Sequence, residues 1–509
     1  MTGITGRASA RGMKGAVEHT VWPHSIPQAC DDLMRAGARV QMAYAWFPRP
    51  GHPPEVIYLA DKAPHQPFEI LRCALTEDSQ ALPSMTPRIP LLGWYEREMH
   101  ELCGVNFQGH PEPRPLVLHE GSHPPLPPLD PRYQPAEMMP YTESPWHLPP
   151  LDGDEVQILP FGPVRADVVE SAQILFYYVG EAVLHCHPRL FFKHRGMEKR
   201  FEGLTPAMGA LIAERISGVD SVAHTLTFCQ AVEAACSCEI PPRARYLRTI
   251  LAELERLYNH LYYLGHLCHT TTLKVGEAQG MLLAEQCKQI NAMLTGSRFL
   301  RALVTPGGLR RDLVLTELPA QLHALEPDIL KYLQMLEETN SHLDRVMTTG
   351  HLPLEFAFDE GAAGPVQRAS GIQHDLRSDH PYAAYDQLPM EIPLRTDGDA
   401  HARVQIRMEE IRNSLGLLFS AIAAAPEGPV AAEFESVADA EGFGWCEGSR
   451  GATYYCVHID ARGRFARVKV KSASFSNWRV FPFTVHDTNM MDYAINEASF
   501  GLTMAGCDR

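Results

Sequence analysis

At 509 residues, with 45% hydrophobic and 21% charged residues, the chain reads as a globular protein of two or three domains, not a disordered or fibrous one. A formal net charge of −16 argues against nucleic acid as the main partner, because phosphate binding needs a concentrated basic face. The 12 cysteines include no C-x-x-C pair, and the nearest spacing is Cys236-Ser237-Cys238, which suits reduced buried thiols better than a disulfide framework or a zinc site.

The segment from Met1 to Gly15 carries Arg7, Arg11 and Lys14 with no apolar stretch behind it, so no secretory signal is expected. A small α/β unit follows. Residues 39–47, 55–60 and 68–75 are short β-rich runs bounded by Pro and Asp. Residues 90–103 place Leu92, Tyr95, Met99 and Leu102 at helical spacing. Between 121 and 150 the prolines, Pro124 through Pro150, predict an extended connector, since proline fixes φ and lacks a ladder donor.

Beyond the connector, strand-like runs at 174–179 and 185–192 give way to helices. The clearest spans 243–268, where Tyr246, Ile250, Leu254, Leu257, Leu261, Leu264 and Cys268 form one apolar stripe behind Pro241-Pro242. Further helices are expected at 206–213, 222–236, 279–303, 319–348 and 402–424. Runs at 454–459 and 465–471 flank Ala461-Arg462-Gly463-Arg464 as a hairpin. No run of about 18 apolar residues occurs, so membrane association is expected only through partners. The fold class is α+β, with domains at 1–120 and 151–509 around a linker at 121–150.

Phe191-Phe192-Lys193-His194-Arg195-Gly196-Met197-Glu198-Lys199 gathers titratable groups around a glycine, and His194 titrates near neutral pH. On the residues alone, a solvated charge run is the favoured reading. The segment also resembles the K-H-R-G-M-E-K signature of membrane-bound group 4 [NiFe]-hydrogenase large subunits and the H-x-G-x-E-K of the complex I 49-kDa subunit. Trp94-Tyr95-Glu96-Arg97-Glu98, Gly104 and Phe107-Gln108-Gly109-His110-Pro111 resemble the complex I 30-kDa subunit. Gly162-Pro163, Glu214-Arg215-Ile216, Ala223-His224, Phe228 to Glu233, Pro241 to Ala244, Pro306-Gly307-Gly308, Asp375-Leu376-Arg377 and Pro381-Tyr382-x-x-Tyr385 follow in the family's order.

The resemblance implies a 30-kDa-like domain fused to a hydrogenase-type, mainly helical body. It implies an iron–sulfur small subunit, with clusters held by that partner, and antiporter-like and other integral membrane subunits on the cytoplasmic side of the cell membrane. The family holds nickel through R-[IV]-C-G-x-C and D-P-C-x-x-C, because soft thiolates suit that metal. Here the first pair reads Ser217 and Asp220, and the second reads Thr503 and Gly506, with Cys507 one residue out of register. A nickel–iron centre is therefore not expected, and no metal or cofactor is expected on this chain. The quinone-reducing branch is not matched cleanly either. Its R-V-D-Y tyrosine is replaced by Gly218, its G-P-x-H reads Gly162-Pro163-Val164-Arg165, and Lys274-Val275-Gly276 stands for its D-x-G.

Arg215, Asp220, Asp508 and Arg450 (in Glu447-Gly448-Ser449-Arg450-Gly451) are expected to converge near the former metal position, and His194, retained from a motif that both branches share, is a further candidate site residue. Arg–Asp pairing there serves equally as structure or as a proton relay. Three functions remain open. The first is a redox role in a complex I-like assembly, coupled to ion translocation, with quinone as a candidate acceptor. The second is a catalytically silent docking subunit, and the third is an active hydrogenase with a different ligand set.

Overall fold

The computed structural model describes residues 13–76, 81–134, 140–144, 153, 155–164, 170–486 and 488–509. Arg7, Arg11, Arg165 and the connector residues 135–139 and 145–150 lie outside the described residues.

The N-terminal unit is built on a four-stranded sheet in the order Ala16–Thr20, Phe68–Ala74, Glu55–Asp61 and Arg39–Trp46; its first pair is parallel and the others antiparallel. The three expected strands form within a residue or two of their predicted bounds. Strand Ala16–Thr20 and helix Ile26–Arg35 were not expected, although Ile26, Ala29, Cys30 and Leu33 stand at helical spacing and the first three are buried. Helix Leu92–Cys103 covers the sheet, ends on left-handed Gly104, and buries Leu92, Tyr95, Met99 and Leu102 as its spacing predicted.

In the body, strand Ala182–Arg189 ends before residue 192, because the chain turns at Phe191 with φ 66°. The long helix Pro242–Thr270 packs on Lys274–Thr295 and Ala400–Ala424. Ile250, Leu254, Leu257, Leu261, Leu264 and Cys268 are buried, but so are Arg248, Glu253, Glu255, Arg256, Asn259 and His260. The helix is enclosed on nearly all sides, its polar faces satisfied by ion pairs rather than solvent. Helix Lys274–Thr295 stops at left-handed Gly296, short of residue 303. The expected 319–348 helix is two, Leu318–Glu338 and Asn340–Val346, broken where Thr339 turns extended.

Strands Glu441–Gly448, Gly451–Ile459 and Phe465–Lys471 form an antiparallel sheet against helix Ser221–Cys236. The first strand lies so close to the helix that a Cβ on Gly444 would sit 2.3 Å from the Thr227 carbonyl oxygen.

The two units are joined by buried charge rather than by the connector alone. Asp61 accepts from His374 Nε2 at 2.7 Å and His380 Nε2 at 2.8 Å. His458 stacks on Trp46, 3.9 Å between ring centres, and bonds the Tyr44 hydroxyl at 3.0 Å. Lys469 Nζ donates to both oxygens of Glu98 at 2.8 Å. The motif resembling the 30-kDa subunit thus divides its labour. Glu96 caps the turn at Ser84 to Thr86, Arg97 donates to the Arg114 and Pro115 carbonyls, and Glu98 crosses to the body.

Candidate functional site

Helix Pro206–Ala213 ends in the turn that carries Arg215 to Asp220, and helix Ser221–Cys236 begins immediately after it. Asp220 occupies the N-cap position, yet its side chain does not cap. Glu255 of the long helix does so instead, accepting from Val222 N at 2.7 Å and Ala223 N at 2.9 Å. Asp220 is thereby released. Its Oδ1 accepts from Arg450 Nη1 at 2.8 Å and Ser449 Oγ at 3.2 Å, and its Oδ2 from Ser217 Oγ at 3.1 Å. Burial, then the nearby Asp220 charge, push the Glu255 carboxyl up to about 8, against the pull of its two backbone N–H bonds.

Arg450 stands in the two-residue turn between paired Gly448 and Gly451. Gly451 has φ 126°, and a Cβ there would lie 2.6 Å from the Gly364 nitrogen, so two backbones pack in direct contact and fix the turn. From this turn Arg450 Nε donates to Gly501 O at 2.7 Å, tying the C-terminal segment to Asp220. There, Thr503 Oγ1 accepts from Gly506 N at 3.2 Å and meets Ser474 Oγ at 3.3 Å.

Asp220, His224, Arg450, Ser474 and Gly506 line a cavity of about 10 Å³, the scale of a single water. His224 bonds the Tyr455 hydroxyl at 2.9 Å, and burial brings its pKa down to about 4, so the ring is neutral. The cluster thus places a hydroxyl, a carboxylate, a second hydroxyl and a bare glycine where the family has four thiolates, with a guanidinium among them. These residues do not fit a nickel–iron group. Cys507 is buried but does not line this cavity, and burial raises its thiol far above the ordinary range.

Asp220 and Arg450 meet as expected, but Arg215 does not join them. Its side chain is 53% exposed, pairs with Glu214 and donates to Leu211 O at 2.7 Å, because the turn directs it outward. Arg195, from the 191–199 cluster, takes a bonding position there instead, donating to Arg215 O at 3.1 Å and Ile216 O at 2.6 Å. Asp508 belongs to a neighbouring contact. Its carboxylate accepts from Lys193 N at 2.9 Å, and burial raises it to about 6. Its carbonyl accepts from His194 Nδ1 at 2.7 Å. A carbonyl only accepts, so Nδ1 carries the proton and Nε2 is left as the acceptor of an exposed ring.

Behind the Arg450 turn lies a buried ion network. Arg368 contacts Asp375 at 3.1 Å, Glu447 at 3.0 Å and Glu410. Arg377 pairs with Asp375 at 2.8 Å and Glu253 at 3.2 Å, and Arg256 with Glu253 at 3.3 Å and Glu410 at 3.4 Å. Arg256 also donates to Gly448 O at 3.0 Å and Glu447 O at 2.5 Å, so the network holds the strand end that presents Arg450. A separate, larger groove of about 490 Å³ lies where the N-terminal unit meets the body, lined by Trp94, His110, His187 and Phe191 among others.

The profile described as respiratory-chain NADH dehydrogenase, 49 Kd subunit, matches residues 280–440 and 432–509; that of the 30 Kd subunit matches 21–137, and that of nickel-dependent hydrogenase 195–293. Formate hydrogenlyase subunit 5 of Escherichia coli is 30% identical over 83% of this chain and 76% of its own length. The chain belongs to the complex I 49-kDa and [NiFe]-hydrogenase large-subunit family. Its N-terminal part is of the complex I 30-kDa type, and the family's four nickel-ligand cysteines are replaced. An NADH-quinone oxidoreductase subunit of Cereibacter sphaeroides, a family member, is 29% identical over 86% of this chain and 83% of its own. A chain in the solved membrane-bound sulfane sulfur reductase, an archaeal respiratory membrane complex, superposes with a TM-score of 0.67 at 25% identity. The likeness covers 71% of this chain and all of that one. Among the described residues, no helix is long and apolar enough to cross a membrane.

Proposed function

We propose that this chain is the catalytic-position large subunit of a membrane-associated, complex I-like oxidoreductase that works without a nickel–iron centre. It takes electrons from an adjacent iron–sulfur subunit and passes them to an acceptor, with quinone as the first candidate to test, and antiporter-like membrane subunits couple the step to ion translocation. The Asp220–Arg450 pair, set among the positions of the four lost thiolates, carries this reading. Soft ligands for nickel are absent from that set, while a buried acid and guanidinium remain that can respond to charge arriving nearby. His194 is an exposed residue whose Nδ1 is taken up by the Asp508 carbonyl, which leaves Nε2 to accept a hydrogen bond or a proton from a substrate oxygen in this reading.

Elemental analysis of the native complex tests the first part, with nickel expected far below one per copy of this chain. One nickel per copy would restore hydrogen as the substrate. Quinone reductase activity tests the second, with the sulfane sulfur named for the archaeal complex as the comparison acceptor. His194→Gln is expected to lower turnover by about 100-fold or more, and Asp220→Asn to move the pH–rate profile. A profile that coincides with wild type in Asp220→Asn would remove the relay role.

A second reading is supported by the size of the cavity: with space on the scale of one water, it suits a docking subunit whose pair is purely structural. Full turnover in both variants would select it.

A further inference from the structure

The N-terminal unit reaches the site through one carboxylate. Glu98, only 5% exposed, accepts from Lys469 Nζ at 2.8 Å and from Arg509 Nη2 at 3.1 Å. Arg509 Nη1 also donates to Glu198 at 3.1 Å and to Val470 O at 2.6 Å, and its guanidinium lies 4.4 Å over Phe475. Arg467 donates to Glu198 at 2.6 Å. The buried cluster therefore holds three cations, Arg467, Lys469 and Arg509, against two carboxylates. It fixes Arg509 in a left-handed conformation, φ 56°, that a bulky residue adopts only when its surroundings impose it.

Arg509 and Asp508 in turn form the wall against which the 193–195 turn is held. Lys193 N donates to Asp508 Oδ2 at 2.9 Å, His194 Nδ1 to Asp508 O at 2.7 Å, and Arg195 N to Arg509 O at 3.0 Å. Three consecutive residues are tied to two, and beneath the two Arg509 is anchored by Glu198 and the Val470 carbonyl from the body and by Glu98 from the N-terminal unit. We propose that Glu98 is a positioning residue of the site: through Arg509 it locks the C-terminal segment that sets the orientation and protonation of His194. The proposal rests on the reading of His194 as a site residue, but its test does not need turnover.

The charged groups facing His194 are Lys193, Arg195, Glu198, Asp508 and Arg509, with Glu98 behind them. The residue is exposed, yet protein packs close enough around the imidazole to desolvate it. That desolvation lowers its pKa and Arg509 lowers it further, while the bond to the Asp508 carbonyl, then Glu198 and Glu98, oppose both. Removing Glu98 leaves three cations to one carboxylate, so the His194 midpoint moves down. Removing Lys469 as well restores a single excess cation, so the midpoint returns.

The experiment is carbethoxylation of His194 in the full-length chain across pH, read by peptide mass spectrometry, together with amide exchange of the 191–197 peptide. In Glu98→Gln the midpoint is expected to fall, and exchange at Lys193 and Arg195 to speed up about ten-fold or more. In Glu98→Gln/Lys469→Met the midpoint should return toward wild type while exchange stays fast, because the Arg509 contact is still missing, and this variant keeps the test open if the single one fails to fold. Asp61→Asn, which loosens the same two units elsewhere, should leave both readouts unchanged. A wild-type midpoint in Glu98→Gln, or an equal response in Asp61→Asn, would overturn the proposal. Loss of His194 function in turnover assays alone would not touch it.

Discussion

Arg368→Met is expected to destabilise the chain by about 3–5 kcal/mol, the cost of removing one partner from a buried ion cluster. Arg368 is fully buried and faces Asp375, Glu410 and Glu447. The network as a whole has Arg256, Arg368 and Arg377 against Glu253, Asp375, Glu410 and Glu447. Wild type already carries one carboxylate in excess. Burial, then the neighbouring Asp375, raise the Glu447 carboxyl, so Glu447 is the group that takes up the extra proton. Without Arg368 the excess doubles. The loss should therefore be largest near neutral pH and smaller in mild acid, where the orphaned carboxyls protonate. Urea denaturation measures it, and Arg368→Met/Glu410→Met should recover part of the loss, because an apolar pair leaves less buried charge unbalanced. A loss below about 1 kcal/mol in the single variant would show that the network is solvated and not the rigid support of the Arg450 turn.

Lys471→Met is expected to act in the opposite direction. Lys471 is 2% exposed, donates to Ala452 O at 2.8 Å, and lies 5.1 Å from the Tyr454 ring centre. Among the described residues, no carboxylate pairs with it directly. Burial lowers its pKa to about 7, with Arg39 and Arg479 adding to the effect and Glu447 opposing it. The folded chain thus prefers the neutral amine, while the unfolded chain keeps it charged up to about pH 10.4. Between these values the unfolded state binds more protons, so this residue's contribution to stability rises with pH. Above about 10.4 it costs nothing, and below 7 its full burial cost is present. Methionine removes that cost. The variant should be more stable than wild type by about 1–4 kcal/mol at pH 6, with the gain shrinking steadily from pH 7 to pH 10. Parallel thermal denaturation curves across that range check it; a gain independent of pH would mean that methionine packing, not titration, is responsible.

Period and composition carried much of the body into view. The stripe from Ile250 to Cys268, the strands about residues 39–75 and the 454–471 hairpin all rest on local hydrophobic spacing, and local spacing is what a sequence displays. The order of short motifs carried the family. The replacement of four cysteines by Ser217, Asp220, Thr503 and Gly506 was legible directly, because ligand chemistry depends on residue type at a known position.

Direction and partnership were not legible. Arg215 and Arg195 are both arginines near the turn, and only the turn's geometry sends one into solvent and the other across to the Ile216 carbonyl. Glu255 stands between Leu254 and Arg256, two residues from Glu253, and nothing local shows that it caps another helix while Glu253 pairs with arginines. The joint between the units is likewise a matter of contacts 300 or more residues apart, Asp61 with His374 and Glu98 with Lys469 among them. Residue identity alone establishes which side chains can supply the chemistry, because pKa, charge and ligand softness belong to the side chain. Which of them meet is set by the folded chain, because a buried charge is tolerated only where the fold brings its partner to it.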